Sequence, residues 1–267
     1  MATAVPRWLL SSATENPSAT PALETTHVHR VYDALATQWA GTRYKAWPAV
    51  VAFLDAHAQS AHLIAEFGCG NGKNLPVAAA KTSHVIASDV CEPLCEIAAL
   101  QTKRADVHVA DIVHLPLRSH VCDLVVCVAV LHHLSTLDRR KRAVGECARV
   151  LVPGGRAVFL AWAHDQTSGY SGHSFPAQDV FVPFHQRVSA REFAAAFQPS
   201  DASKELGHGV YVEDKRAVVL QRYCHVFARG ELESLVEQCG FNVVRSFDDT
   251  GNWVVEAIKP LFAASKA

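Results

Sequence analysis

The stretch Ile64-Ala65-Glu66-Phe67-Gly68-Cys69-Gly70-Asn71-Gly72 decides the fold. An apolar run leads into three glycines at alternate positions, and an acid, Asp89, stands at the end of the next apolar run. This order predicts a strand, a tight glycine turn, and a carboxylate that accepts hydrogen bonds from ribose hydroxyls. Glycine permits positive φ and a close approach of the backbone to a ligand. The stretch therefore predicts a nucleotide-type cofactor site in an α/β domain.

The rest of the chain alternates in the same way. Apolar runs predict strands at 62–67, 84–88, 106–110, 121–128, 156–162, 241–246 and 252–258. Helices are predicted from Thr26, from Trp47-Pro48 and from Lys73, and over 92–102, 138–151 and 230–239. The last two strands flank Asp248-Asp249-Thr250-Gly251, which predicts a hairpin turn. We therefore expect a seven-stranded, Rossmann-like sheet, mostly parallel, with a terminal antiparallel hairpin.

Composition narrows the functional classes. The chain has 267 residues, 49% of them hydrophobic, and a formal net charge of −1, which argues against unaided nucleic-acid binding through a strongly basic face. No stretch approaches the roughly 20 apolar residues of a membrane span. The eight cysteines form no CxxC pair and show no zinc spacing. They predict core residues in a reducing compartment, no metal site, and a location in the cytoplasm, with the nucleus as a second location.

Two segments fall outside the regular pattern. Residues 1–26 are rich in Ala, Ser, Thr and Pro and predict a disordered tail, with a transit peptide as the alternative. Residues 163–220 interrupt the α/β domain predicted over 27–260, with several glycines and prolines and one short helix near 189–198. Insertions of this size on α/β scaffolds are often substrate lids.

The glycine spacing separates two kinds of cofactor. A dinucleotide fingerprint needs G-x-G-x-x-G, whereas Gly68, Gly70 and Gly72 give G-x-G-x-G after Glu66. This pattern resembles motif I of the class I S-adenosylmethionine-dependent methyltransferases. The resemblance implies a turn beneath the methionine part, Asp89 on the ribose, Asp111 and Ile112 beside the adenine, and the 129–133 segment beside the sulfonium. The cofactor-binding candidates are Glu66, Gly68, Cys69, Gly70, Asn71, Gly72, Asp89, Asp111, Ile112, Ala129 and His133.

Narrower segments point to one family. In chain order they are Val31-Tyr32-Asp33-x-Leu35-Ala36, Thr42-Arg43-Tyr44-Lys45-Ala46-Trp47-Pro48, Ala129-Val130-Leu131-His132-His133, Ala161-Trp162-x-x-x-Gln166, Asp179-Val180-Phe181-Val182-Pro183, Arg222-Tyr223-x-His225-x-Phe227-x-x-Gly230-Glu231-Leu232 and Gly251-Asn252-Trp253. Over about residues 27–258 the chain resembles the stand-alone eukaryotic tRNA wobble-uridine carboxymethyl methyltransferases. The resemblance implies esterification of the carboxylate of 5-carboxymethyluridine in the tRNA anticodon loop. It also implies a heterodimer with a small zinc-binding activator subunit.

The chemistry of this reaction explains why no catalytic base is predicted. The methyl group on a sulfonium is already activated, and a carboxylate, with a pKa near ~4, is ionised at neutral pH. Such a site needs a cation that orients the substrate, for which Arg43, Arg222 and His225 are candidates. The wider set of substrate-orienting candidates, expected on loops at the carboxyl ends of the strands, is Arg43, His132, Trp162, Asp179, Arg222, Tyr223, His225, Asn252 and Trp253. The run Arg139-Arg140-Lys141-Arg142 predicts a solvated helix face rather than an RNA patch.

Two other functions remain open on the sequence. A methyltransferase acting on a small-molecule or lipid carboxylate or quinone would share the glycine turn and His132-His133. A non-catalytic scaffold would keep the fold without turnover, although the glycine turn, Asp89 and Asp111 argue for retained cofactor binding.

Overall fold

The computed structural model describes residues 1–11, 16, 19–42, 44–167, 172–187, 210–212, 215 and 217–261. The strands of these residues are β1 Thr3–Ala4, β2 Leu63–Phe67, β3 His84–Asp89, β4 Ala105–Val109, β5 Cys122–Val128, β6 Leu151–Trp162, β7 Asp179–Arg187, β8 Val210–Val212, β9 Ala217–His225, β10 Asn242–Asp248 and β11 Asn252–Ile258. The helices are α1 Arg7–Ser11, α2 Ala22–Glu24, α3 Arg30–Gly41, α4 Pro48–His57, α5 Leu75–Lys81, α6 Glu92–Ala99, α7 Leu137–Val150 and α8 Glu231–Gln238. A π-helical turn, Thr25–His29, joins α2 to α3, and 3₁₀ turns cover Ala58–Ser60 and Leu131–His133.

The larger sheet confirms the predicted fold class. Its seven strands follow the order β10-β11-β6-β5-β2-β3-β4. Strands β2 to β6 are parallel, whereas β11 pairs antiparallel with both β6 and β10. The apolar run of β5 is buried, as expected for a parallel strand covered on both faces. One face packs around Phe159 and Leu232, and the other around Phe53 and Leu75.

The terminal hairpin also forms where the sequence predicts it. Thr250 and Gly251 have φ of 53° and 87° at the turn between β10 and β11. Left-handed backbone at these two positions matches the twist of the flanking strands. Asn252 donates from its side-chain amide to the carbonyl oxygen of Asp249 at 2.9 Å and so closes the turn.

A second sheet corrects the picture of a loop-rich insertion. Strand β7 pairs antiparallel with β9 over nine residue pairs, from Asp179 opposite His225 to Arg187 opposite Ala217. Strands β1 and β8 complete the order β1-β7-β9-β8. Glycines and prolines in this region suggested loops, but the β-branched and aromatic residues of 179–187 and 217–225 pair across the sheet. The predicted helix near 189–198 lies outside the described residues.

The N-terminal part of the chain also differs from the predicted disordered tail. Thr3 and Ala4 pair with Phe181 and Val180 of β7, and Val5 is buried. The helical path begins at Ala22, after Pro21, rather than at Thr26. These contacts are non-local, which is why a composition rich in small polar residues did not reveal them. The helices of the described residues all lack the combination of length and apolar character that a membrane crossing requires.

Candidate functional site

A cavity of about 230 Å³ opens at the carboxyl ends of β2, β3 and β5. Because β3 and β5 lie on opposite sides of β2, this is the place where strand order reverses, and ligands bind at such points in open α/β sheets. Ten of the predicted cofactor residues line the cavity: Glu66, Gly68, Cys69, Gly70, Asn71, Asp89, Asp111, Ile112, Ala129 and His133. Three predicted substrate residues line it as well, namely His132, Trp162 and Arg222.

The glycine turn is shaped by two close approaches. Gly68 has a φ of 73°, and a Cβ there would overlap Cγ2 of Val130, which follows β5. Gly72 has a φ of 75°, and a Cβ there would lie 2.9 Å from Cα of Ala98 in α6. Gly72 therefore packs the turn against a helix and is not among the residues lining the cavity. Gly68 and Gly70 line the cavity without a side chain, so a ligand can come close to the backbone there.

Asp89 holds the turn and still faces the cavity. Its Oδ2 accepts a hydrogen bond from the Gly70 N–H at 2.8 Å, and its Oδ1 accepts one from the Cys91 N–H at 3.0 Å. Burial raises the pKa of this carboxyl, while the backbone hydrogen bonds oppose the rise. Each carboxylate oxygen has a further lone pair, so Asp89 can accept hydrogen bonds from two ribose hydroxyls and keep those from the Gly70 and Cys91 N–H groups.

Glu66 connects the turn to the segment before α4. Its Oε1 accepts from the Asn74 amide at 2.7 Å, and Asn74 Oδ1 accepts from the Trp47 N–H at 3.0 Å. Lys73 Nζ lies 4.4 Å from the centroid of the Trp47 ring. Sequence reasoning missed Trp47, Lys73 and Asn74 as cavity residues, although Trp47 lies in one of the quoted segments and the other two directly follow Gly72.

Glu66→Gln is expected to stabilise the protein at high pH. Burial raises the pKa of Glu66 to about 7, against an opposing hydrogen bond from Asn74. A carboxyl whose folded pKa exceeds its unfolded value of about 4.5 favours the folded state below pH 4.5, and this contribution is lost as pH rises through 7. By pH 8.5 the loss approaches about 3 kcal/mol, at 1.36 kcal/mol for each pKa unit.

The measurement is urea unfolding of both proteins without cofactor at pH 5.5 and pH 8.5. The free energy of unfolding of Glu66→Gln, relative to that of the wild type, should be higher at pH 8.5 than at pH 5.5. Parallel pH profiles in wild type and variant would show that Glu66 is not buried in this way.

Arg222 brings a buried positive charge to the lining of the cavity. Its Nη1 donates to the Tyr32 hydroxyl at 3.3 Å, and its Cζ lies 5.0 Å from the Trp162 ring centroid. Its Nε has no hydrogen-bond partner, and in the part of the chain that the structure describes no carboxylate forms an ion pair with it. A buried charge is costly unless it is paired. This guanidinium is therefore suited to receive an anion from within the cavity.

Two neighbours fix the orientation of Arg222. His133 Nδ1 lies 2.9 Å from the carbonyl oxygen of Tyr223, which can only accept, so Nδ1 carries the proton. His133 Nε2 then accepts from the Tyr32 hydroxyl at 2.8 Å, which leaves the Tyr32 oxygen to accept from Arg222. Burial, with help from the charge of Arg222, lowers the pKa of His133 to about 3, so the ring is neutral. Tyr32 is a site residue that sequence reasoning missed, although it lies in one of the quoted family segments.

His132 and Cys224 complete this buried group. His132 Nδ1 accepts a hydrogen bond from the backbone N–H of Trp162 at 3.3 Å, and burial lowers the pKa of His132 as well. The ligand atoms of His132, His133 and Cys224 lie within 4.8 Å of one another. Both nitrogens of His133 already have partners, and the adjacent charge of Arg222 repels a cation. We therefore describe the three residues as a buried polar cluster.

A separate hydrogen-bond network, none of whose members lines the cavity, contains three of the predicted substrate residues. It consists of Asp179, Tyr223, His225 and Glu231. Asp179 Oδ1 accepts from the Tyr223 hydroxyl at 2.6 Å and from His225 Nδ1 at 3.0 Å. His225 Nε2 lies 2.8 Å from Glu231 Oε1. Alternation along β9 turns Tyr223 and His225 to the face opposite Arg222. Asp179, Tyr223 and His225 thus lie on paired strands rather than loops, and they do not line the cavity.

Of the remaining predicted substrate residues, Asn252 and Trp253 form hydrogen bonds within the fold, and Arg43 is not among the described residues. Asn252 closes the hairpin turn, and Trp253 Nε1 donates to the carbonyl oxygen of Phe227 at 3.0 Å. Neither lines the cavity. Arg43 lies outside the described residues, although its neighbour Tyr44 is 76% exposed.

Asp179→Asn should therefore affect stability rather than binding. Burial alone would lower the pKa of His225, but its hydrogen bonds to Asp179 and Glu231 raise it. The hydrogen bonds that Asp179 and Glu231 accept lower their pKa values despite burial. The His225 contribution is lost as pH rises past its raised pKa, and the carboxylate contributions are lost in acid, so the network is strongest near pH 5–6.5.

At pH 6 we expect Asp179→Asn to lower the unfolding free energy by about 1–2 kcal/mol, because its hydrogen bonds lose their charge. Urea unfolding measures this loss, and calorimetry should give an unchanged cofactor Kd. A variant with wild-type stability and a strongly reduced kcat would contradict this prediction and indicate that Asp179 contacts the substrate.

Comparisons with known proteins agree with this geometry. Residues 65–159 match the family model described as a methyltransferase domain. The tRNA (carboxymethyluridine(34)-5-O)-methyltransferase of Schizosaccharomyces pombe is 37% identical over 238 residues, covering 88% of this chain and 97% of that protein. The Arabidopsis thaliana protein of the same name is 42% identical over 156 residues, covering 58% of this chain but 37% of that protein.

A solved structure shares the fold at low sequence identity. It is the complex between the Haloferax volcanii Trm112 methyltransferase activator and the putative methyltransferase, with a TM-score of 0.57 and 11% identity. The match covers 88% of this chain and 98% of the solved one.

Proposed function

The chain belongs to the tRNA (carboxymethyluridine(34)-5-O)-methyltransferase family, and from this premise we propose that it esterifies the carboxylate of 5-carboxymethyluridine at the tRNA wobble position. The observation that carries the proposal is the buried guanidinium of Arg222 in the cavity, which has no ion-pair partner among the described residues. An acceptor that brings its own carboxylate would supply the missing anion. A neutral quinone would leave that charge unpaired.

The residues present fit S-adenosylmethionine, which is the cofactor of this enzyme class and supplies an activated methyl group. The glycine turn, which lines the cavity without side chains at Gly68 and Gly70, can support the methionine part. Each oxygen of Asp89 has a further lone pair that can accept a hydrogen bond from a ribose hydroxyl. Asp111 and Ile112 line the cavity beyond the end of β4, where the adenine is expected. The chain thus offers a contact for each part of the cofactor.

The same arrangement needs no general base. The substrate carboxylate is ionised at neutral pH. Arg222 can hold one of its oxygens through a charge-assisted hydrogen bond while the other is free to attack. His132 and Trp162 line the cavity beside Arg222, and the partly exposed Trp162 ring, which packs on His132, offers a flat surface for an unpaired base. The protein therefore acts by positioning two reactants in line.

The proposed partners are the tRNA anticodon loop and a small zinc-binding activator subunit that forms a heterodimer with this chain. A formal net charge of −1 gives the chain little general attraction for RNA, so help from a second subunit is reasonable. The methyltransferase of the Haloferax volcanii complex has the same fold and is paired with an activator. We place this activity in the cytoplasm, with the nucleus as a second location.

The test compares acceptors at saturating S-adenosylmethionine, with and without the activator. One tRNA carries 5-carboxymethyluridine at the wobble position, and the matched tRNA carries unmodified uridine there. We expect turnover on the first and none on the second. Methylation of free carboxylic acids or quinones, with neither tRNA accepted, would favour the small-molecule alternative. Cofactor binding without turnover on any acceptor would favour a scaffold.

A further inference from the structure

The first turn of α7 contains a buried charge that the sequence predicted to be solvated. Arg139 is 1% exposed and Arg140 is also buried, so the run 139–142 is not a solvated face throughout. Helix α7 follows β5 and the 131–133 turn, which places its N-terminus at the carboxyl edge of the sheet beside the cavity. Thr136 caps the helix by accepting from the Arg139 N–H at 3.2 Å.

The guanidinium of Arg139 joins two acids from distant parts of the chain. Its Nε donates to Glu24 Oε2 at 3.0 Å, and its Nη2 donates to Asp111 Oδ2 at 3.1 Å. Its Nη1 donates to the carbonyl oxygen of Ala19 at 3.0 Å. Glu24 is also 1% exposed, so this ion pair is fully desolvated. Buried pairs of this kind are strongly coupled, because removing one partner leaves an unpaired charge.

Glu24 is held from a second side. Its Oε1 accepts from both the N–H and the hydroxyl of Ser135, at 2.6 and 2.7 Å. Residues 19–29, which we call the N-terminal segment, are thereby fixed to the start of α7. Glu24, Val28 and His29 of this segment line the cavity. The segment thus forms one wall of the cofactor site.

Asp111 connects the same guanidinium to the adenine end. Its Oδ1 accepts from the Val113 N–H at 3.1 Å, and its side chain remains 24% exposed. Arg139 therefore fixes the rotation of a carboxylate that still faces the cavity and can accept from a ligand N–H.

We propose that Arg139 and Glu24 are positioning residues for cofactor binding, which act by clamping the N-terminal segment and Asp111 around the adenosine end of the cavity. The clamp pre-forms one wall, so the cofactor does not have to order it on binding. Losing the clamp should weaken cofactor affinity while leaving the chemical step intact. The proposal concerns the cofactor alone and does not depend on the identity of the methyl acceptor.

The test uses Glu24→Gln in the full chain, which removes the charge but keeps the size and one carbonyl oxygen for Ser135. Glu146→Gln is the matched control, because Glu146 pairs with Arg149 on the same helix at 2.7 Å and does not line the cavity. We expect the Kd for S-adenosylmethionine, measured by calorimetry, to rise about tenfold in Glu24→Gln and less than twofold in the control. The kcat at saturating cofactor should be unchanged in both.

Hydrogen exchange gives a second readout that needs no turnover. Amides of residues 22–29 should exchange faster in Glu24→Gln, and saturating cofactor should restore much of the protection. The double variant Glu24→Met with Arg139→Met serves if the single variant does not fold, because it removes both members of the fully buried pair and leaves only Asp111, which is 24% exposed, without its partner. An unchanged cofactor Kd in the folded variant would overturn the proposal. An equal rise in Glu146→Gln would also overturn it, because the effect would then be general destabilisation.

Discussion

Arg222→Met is expected to lower kcat/KM on carboxymethyluridine tRNA about 100-fold and to leave the protein at least as stable as the wild type. The lost hydrogen bond between charged groups accounts for about 3 kcal/mol, which corresponds to that factor. Stability should hold because Arg222 is buried without an ion-pair partner among the described residues, so methionine removes a desolvated charge. This combination is the signature of a residue kept for function rather than for folding.

Arg222→Lys is the matched control. Lysine keeps the charge but loses the planar fork that contacts Tyr32 and stacks on Trp162. We expect a loss of kcat/KM near tenfold, between wild type and methionine. Steady-state kinetics, thermal unfolding and a cofactor titration should be made on all three proteins. A raised Kd for S-adenosylmethionine with full kcat at saturation would contradict this role and place Arg222 at the carboxylate of the cofactor.

Gly68→Ala should produce the largest structural effect in the cofactor site. A Cβ at this position overlaps Cγ2 of Val130, and the φ of 73° strains any side chain. Left-handed backbone costs about 1–2 kcal/mol and overpacking about 1–3 kcal/mol more. Either the Val130 side chain or the turn must shift to relieve the overlap. A shift of the turn would move the Gly70 N–H group, whose hydrogen bond Asp89 accepts. We therefore expect stability to fall by about 2–5 kcal/mol and cofactor binding to be lost.

The overlap itself can be tested with a second substitution. Gly68→Ala combined with Val130→Ala removes the side-chain collision but keeps the backbone strain, so it should recover part of the stability and binding. Gly145→Ala is the control for adding a methyl group elsewhere. Gly145 lies within α7, and no atom of the described residues lies within 4 Å of the added Cβ, so alanine there should stabilise the helix by up to about 1 kcal/mol. Equal effects of the single and double variants would show that Val130 does not constrain the turn.

The sequence predicted the features that depend on local pattern. The apolar run of β5, the turn at Gly68 and the hairpin at Gly251 are encoded by neighbouring residues, and the structure confirms all three. The cavity could be predicted for the same reason, because the carboxyl ends of adjacent parallel strands must meet. Gly72 shows the limit of this reasoning, since its partner Ala98 lies on a helix that the turn itself does not specify.

Features that depend on distant partners could not be predicted. Asp179 and His225 belong to motifs that mark the family, and this suggested substrate contacts, yet they bind each other on the far face of β9. Arg139 resembled part of a solvated basic run because its partner Glu24 is 115 residues away. Charge alone does not tell whether an arginine is solvated or paired in the interior, because the answer depends on which acids the fold brings beside it.

The most direct test of the central claim is the identity of the methylated atom. The protein and its activator should be incubated with labelled S-adenosylmethionine and tRNA carrying 5-carboxymethyluridine, and the wobble nucleoside should then be isolated and treated with mild base. The account predicts label in that nucleoside and its release as methanol, because a methyl ester hydrolyses in base. Base-stable label in the wobble nucleoside, or label in another nucleoside, would contradict transfer to the carboxylate.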